Sequence, residues 1–128
     1  MTITASLVAI VPCNDADASE AFYRRLGFVR SPPAPGDDDS YRILHNAQNA
    51  QLHLNAAIPS GWVVPGQNPF GVYLYTDAVR ELAREFPGEI IEKNAPEHKP
   101  WGMFEFALSD PDGTLVRVGW PSRLMPSA

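Results

Sequence analysis

Residues 99–114 constrain this chain more than any other stretch: Lys99-Pro100-Trp101-Gly102-Met103-Phe104-Glu105-Phe106-Ala107-Leu108-Ser109-Asp110-Pro111-Asp112-Gly113-Thr114. They read as strand, tight turn, strand. Asp110-Pro111-Asp112-Gly113 fits a type I turn closed by a residue at positive φ. Pro111 presets φ at the second corner, and Gly113 enters the left-handed region without a Cβ clash. Leu115-Val116-Arg117-Val118 alternates like a returning strand. A Trp-Gly pair at the mouth of such a hairpin is costly to expose and well suited to stacking a ligand.

A pass along the chain finds one layout twice. Ser6–Cys13 reads as a short apolar strand. Asp15 is a candidate N-cap, and Ala16–Leu26 has helical spacing at Ala18, Ala21, Phe22 and Arg25/Leu26. Gly27 ends that helix and Phe28–Arg30 begins a strand. Residues 32–39 read as a loop, and Tyr41–Leu44 with Gln51–Ala57 as a hairpin around Asn46-Ala47-Gln48-Asn49. Residues 59–69 read as a Pro- and Gly-rich linker. The pattern then restarts. Phe70–Thr76 reads as a strand and Asp77 as a second N-cap. Val79, Leu82, Ala83 and Phe86 form a helix face ended by Pro87-Gly88. Glu89–Glu92 reads as a strand, residues 95–99 as a loop, and residues 101–120 as the hairpin. The two Asp caps lie 62 residues apart. The expectation is an α+β fold of two βαβββ modules, about 6–57 and 70–120, in a single 128-residue domain.

Composition narrows the function classes. Fifteen acids against ten bases give a net charge of −5, which argues against nucleic acid, whose backbone calls for Lys and Arg. The single cysteine, Cys13, excludes an intrachain disulfide. It ends an apolar strand, where a small buried thiol is the plainer reading. The N-terminus lacks a basic region, and the apolar run 7–11 is too short for a signal core or a membrane span, so a soluble cytoplasmic protein is expected. The last residues, 122–128, read as a loose tail.

Several residues are candidates for chemistry. In 51–55, Leu52 and Leu54 point to one face and Gln51, His53 and Asn55 to the other. His45, beside a turn, and His98, in a polar loop, read as solvated. Glu105 is a candidate base, although a strand Glu is more often a surface charge. Trp62 sits among turn residues, where a core role is hard to explain. Trp120 reads as a packing residue. The run Asp37-Asp38-Asp39 reads as a solvated loop, or alternatively as a source of negative potential for cationic ligands.

The segment Phe22-Tyr23-Arg24-Arg25-Leu26-Gly27-Phe28, followed by the Trp101-Gly102 and Asp110-to-Gly113 block, resembles the bleomycin-resistance branch of the glyoxalase/bleomycin-resistance/dioxygenase (vicinal oxygen chelate) superfamily. The resemblance spans Leu7 to Trp120. It implies two βαβββ units whose curved sheets surround a concave groove, and commonly a homodimer. In the metal-using enzymes of the superfamily, four ligand positions face that groove; by motif they fall here on Val8, His53, Phe70 and Arg117. One imidazole cannot hold a catalytic metal that normally needs about three protein ligands. Arg117 adds a charge that opposes a cation. No metal, no cofactor and no catalytic residue is therefore expected.

The resemblance implies instead a small-molecule binding protein that sequesters an aromatic or planar, antibiotic-like ligand. Trp101 matches a position at the family's ligand site, and Tyr41 matches an aromatic that follows acidic residues there. Trp62, Phe70 and Trp101 would stack the ligand; Gln51, His53 and Asn55 would orient it. Many relatives carry Trp-Gly-x-Arg-Glu-Phe; here Phe104 stands at the Arg position, making the groove more apolar, and Arg117 disfavours a strongly cationic ligand. The alternative is a metal-dependent lyase or oxidoreductase of the same fold, acting on a small metabolite.

Overall fold

In the computed structural model, which describes residues 2–126, the chain divides into two compact units, the first up to Val63 and the second beginning at Val64. Each has the order βαβββ. Each carries one four-stranded mixed sheet in which the unit's first strand runs parallel to its last.

In the first unit, β1 (Ala9–Pro12) pairs in parallel with β4 (Gln51–Asn55), from Ala9–Leu52 to Pro12–Asn55. This strand is shorter than the sequence suggests because its ladder with β4 begins only at Ala9. β3 (Tyr41–His45) lies antiparallel between β4 and the short β2 (Val29–Arg30), giving the order β1-β4-β3-β2. α1 spans Ala16–Arg24. Asp15 caps it: its carboxylate accepts the N–H groups of Asp17 and Ala18. At the other end Gly27 sits at φ +94°, its N–H bonds the Arg24 carbonyl, and the Phe28 N–H bonds that of Tyr23, a Schellman closure. The buried face of α1 is Ala16, Ser19, Phe22 and Tyr23. Ala18 and Ala21, expected on it, are exposed, since alanine carries too little apolar surface to fix a helix's rotation. Phe22, Tyr23 and Leu26 pack over Leu44, Leu52 and Leu54 as the core of this unit. Arg42 of β3, also buried, reaches Asp17 (2.8 Å) and Glu20 (3.1 Å) on α1 and Asp39 (2.8 Å) in the preceding loop. The acidic run is thus spent internally: Asp39 also binds Arg30, while the Asp37 and Asp38 carboxylates accept the backbone N–H groups of Ala34 and Ser40.

In the second unit, β5 (Gly71–Tyr75) pairs in parallel with β8 (Leu115–Pro121). β7 (Met103–Ser109) lies antiparallel between β8 and the two-residue β6 (Glu97–His98). α2 is short, Val79–Ala83, and Ala78 rather than Asp77 is its cap residue; the Thr76 hydroxyl accepts the Ala78 N–H. The chain then tightens into three-residue turns that still bury Phe86 completely. The strand expected over Glu89–Glu92 does not form. Glu92 and Asn94 take positive φ (72° and 56°), which breaks an extended run, and the edge strand forms instead inside the expected loop, at Glu97–His98. Phe104, Phe106, Leu108, Val116 and Val118 supply the core. Ser122–Leu124, expected as tail, form a 3-10 turn; the last two tail residues lie outside the described residues.

Candidate functional site

Strand alternation sorts the second unit's sheet into two faces. Phe104, Phe106, Leu108, Val116 and Val118 point into the core. Glu105 and Ala107 of β7, Arg117 and Gly119 of β8, and Tyr73 and Tyr75 of β5 share the opposite face, as the pairs Glu105–Gly119, Ala107–Arg117, Tyr73–Arg117 and Tyr75–Gly119 require. A charged side chain on such a face normally meets water. Glu105 does not: it is 1% exposed.

Three donors cover its carboxylate. The Tyr73 hydroxyl donates to Oε2 at 2.5 Å, and Trp101 Nε1–H and Arg117 Nη1–H donate to Oε1, each at 3.1 Å. Burial beside this carboxylate pushes the Tyr73 hydroxyl above its ordinary ionisation range: desolvation comes first, then the hydrogen bond to Glu105 and its charge. Both ionised phenolate and carboxylate at one spot would repel, so the proton stays on Tyr73. The outer parts of the same side chains are open. Tyr73 is 41% and Trp101 59% exposed, and the Arg117 side chain 42%. Lys99 Nζ lies 5.9 Å from the Trp101 ring centroid, and Tyr75 meets Trp120 edge-on at 5.3 Å.

The arrangement is a wall of half-exposed aromatic rings around one guanidinium, anchored from beneath by a buried carboxylate. It can stack a planar group and offer it hydrogen-bond donors. Glu105 is the residue that sequence reasoning undervalued. The available signal was Gly119, a glycine inside an apolar strand, which often marks close approach of another group.

Other expected residues fall elsewhere. Phe104 is 6% exposed on the core face, with the Arg80 guanidinium 4.7 Å from its ring centroid and the His98 ring at 4.7 Å. Strand alternation therefore places it opposite Glu105, and it does not line the aromatic wall. Phe70 precedes β5, and the register puts Gly71 and Tyr73, not Phe70, on the face of Arg117; it is exposed but outside that cluster.

In the first unit, Tyr41 and His53 come together: the hydroxyl and Nδ1 are 2.7 Å apart and the rings meet edge-on at 5.4 Å. His53 lies between Ile10 and Ile43 in the ladder. Gln51 and Asn55 share its face, Gln51 exposed and Asn55 accepting the Ala57 N–H. A cleft of about 180 Å³ opens beside Tyr41, against Pro33, Asp37 and Asp38, too small to enclose a drug-sized molecule by itself. Trp62 is exposed in the loop after β4. His98, expected to be solvated, is exposed, with its Nδ1 2.8 Å from the Ser122 hydroxyl; His45, expected likewise, is half-buried, with its Nδ1 2.9 Å from the Ser31 hydroxyl. Cys13 is buried.

Val8, His53 and Arg117, with Gly71 and Tyr73 in place of Phe70, offer one imidazole to a metal, and Arg117 already holds a carboxylate. Among the described residues no three His, Cys, Asp or Glu side chains converge. The donor set therefore does not fit the catalytic metal of the superfamily's enzymes. No helix is long and apolar enough to cross a membrane among the described residues.

No protein-family model matches the chain. A bleomycin resistance protein from Klebsiella pneumoniae is 32% identical over 120 residues, covering 84% of this chain and 86% of that protein. The crystal structure of a bleomycin resistance determinant encoded on the transposon Tn5 matches with a TM-score of 0.74 at 30% identity, over 92% of this chain and 98% of the other. A bleomycin-binding protein complexed with bleomycin matches with a TM-score of 0.70 at 28% identity, over 91% and 98%. Likeness of this degree over nearly the whole length shows that the chain belongs to the bleomycin-resistance branch of the glyoxalase/bleomycin-resistance/dioxygenase superfamily.

Proposed function

We propose that this protein binds a planar, aromatic, antibiotic-like small molecule and sequesters it without metal or catalysis, acting as a homodimer in the cytoplasm. The observation that carries this reading is the homology to a bleomycin resistance protein over 84% of the chain. The aromatic wall supports it: Trp101, Tyr73 and Tyr75 expose ring surface on one unit, while Trp101's polar N–H is already bound to Glu105. A ring whose donor is satisfied offers its face at little desolvation cost. The donor set at the superfamily's ligand positions supports the metal-free part. Taken by itself, the first unit offers the Tyr41–His53 pair with Gln51 and Asn55 as orienting polar contacts and exposed Trp62 as a ring face, while Phe70 of the second unit is exposed outside the aromatic wall.

The test is a titration with metal-free bleomycin followed by tryptophan fluorescence, with metal content assayed on the same sample and mass measured by light scattering. Saturable quenching without stoichiometric metal is expected, and Trp101→Ala should weaken binding roughly tenfold. No response together with a stoichiometric transition metal would overturn the reading in favour of a metal-dependent lyase or oxidoreductase.

A further inference from the structure

Arg117 spends only one nitrogen on Glu105. Among the described residues its guanidinium makes one hydrogen bond, from Nη1–H to Oε1 at 3.1 Å, and its side chain is 42% exposed. The carboxylate that fixes it is buried and fully engaged, with Tyr73 on one oxygen and Trp101 and Arg117 on the other. A ligand arriving on this face therefore meets the positive end of the ion pair and not the negative one. Of the four N–H donors left, Nε–H and one Nη2–H lie parallel in a planar fork whose geometry matches a carboxylate.

The fork is held ready. Gly119 leaves the space that the Tyr73 hydroxyl occupies; a Cβ there would overlap that hydroxyl and come within 2.8 Å of Glu105 Cβ. Tyr73 can therefore cross β8 to reach Glu105, where it holds Oε2 while Arg117 holds Oε1. A guanidinium anchored by a buried carboxylate loses less rotamer freedom on meeting a ligand than a mobile surface arginine.

We infer that Arg117 is an anion-recognition subsite beside the aromatic wall, so that the ligand this chain takes is an aromatic ring system carrying a carboxylate or comparable anionic oxygen rather than a cation. The inference rests on the reading of this face as a ligand site and narrows its chemical class.

The experiment compares 2-naphthoate with 2-naphthylmethylammonium, two probes with the same ring and opposite charge, by calorimetric titration of the full chain. The carboxylate should bind roughly tenfold or more tightly than the ammonium, as expected for a charge-assisted bidentate contact. The double variant Glu105→Gln/Arg117→Met should abolish that preference; it strands no buried charge, its amide oxygen can accept from Trp101 Nε1–H, and its amide N–H can donate to the Tyr73 hydroxyl oxygen. Arg117→Lys, which keeps the charge and loses the fork, should retain only part of it. Equal affinity for the two probes, or a preference that survives in the double variant, overturns the inference. If metal-free bleomycin quenches saturably while 2-naphthoate shows no preference, sequestration stands and the anion subsite falls. If 2-naphthoate binds through Arg117 and bleomycin does not bind, the subsite stands and the bleomycin-type reading falls. If neither binds, both fall.

Discussion

Gly119 and Tyr73 form a coupled pair. The tyrosine hydroxyl occupies the volume where any larger residue at 119 would place its Cβ. Gly119→Ala must push Tyr73 aside and break its bond to Glu105; overpacking of this kind costs roughly 1–3 kcal/mol. Tyr73→Phe removes the hydroxyl that collides, so the double variant should be destabilised by less than the sum of the two singles, measured by denaturant unfolding. Strict additivity would sink this account. The same pair has a pH signature. The folded Tyr73 pKa is raised above its unfolded value, so this group's contribution is fully present below about pH 10, the unfolded value, and is lost as pH rises beyond it. A difference absorbance titration of wild type against Tyr73→Phe should isolate a phenol that ionises above the usual tyrosine range, and Gly119→Ala should return it towards that range. Single-residue reasoning could place Tyr73, Glu105 and Arg117 on strands and sort them by alternation. It could not foresee that three donors, drawn from β5, the loop before β7 and β8, converge on one oxygen pair, because convergence depends on cross-strand register.

The turn joining β7 to β8 is where local sequence and tertiary structure agree most closely. Asp110 Oδ1 accepts the N–H groups of Asp112 and Thr114, the Gly113 N–H bonds the Asp110 carbonyl, and Gly113 lies at φ +81°. The side chain of Asn68 ties the turn to the loop before β5, donating to the Asp112 carbonyl (2.9 Å) and the Thr114 hydroxyl (3.0 Å). A Cβ on Gly113 would overlap the Pro65 carbonyl as well as strain φ. Gly113→Ala should therefore cost roughly 2–4 kcal/mol, summing left-handed strain and backbone displacement. A loss below about 1 kcal/mol in denaturant unfolding would show that this loop yields freely. The same contrast explains which elements the sequence revealed. α1 carries its own signals at both ends, Asp15 and Gly27. Around α2 they mislead: Asp77 stands where a cap belongs, yet Thr76 supplies the bond. The segment Glu89-Ile90-Ile91-Glu92 looks like a strand, but the left-handed Glu92 ends it, and the Ile91 N–H bonds the Ala107 carbonyl without a ladder forming. Pairing with β7 is what makes Glu97–His98 a strand, and pairing has no local code in a two-residue edge.

At the scale of the whole chain, two electrostatic effects oppose each other as pH falls. The net charge of −5 relaxes towards zero on mild acidification, which relieves self-repulsion; spread over 128 residues this is a weak effect. Against it stand specific carboxylates in both units whose folded pKa values are depressed. Asp38 is lowered by its hydrogen bonds from Ser40, Asp39 by its bond to Arg30 and the charge of Arg42, and Glu97 by Lys99 and Lys93. A depressed folded pKa contributes stability that is present above the unfolded value and is lost as pH falls through the folded one. The unfolded values here are 4.5 for Glu97 and 3.8 for the two aspartates. The melting temperature should thus stay level or rise slightly from neutral pH to about pH 5, where the net-charge effect acts alone, and then fall below about pH 4.5 as Glu97 and next the aspartates are protonated. All three groups are solvent-facing, so added salt should flatten the acid limb. Glu97→Gln should remove the onset nearest pH 4.5 and leave the lower part, which belongs to Asp38 and Asp39. A melting temperature that climbs steadily down to pH 3, or an acid limb insensitive to salt, would mean that buried groups rather than these exposed pairs govern the acid stability of the fold.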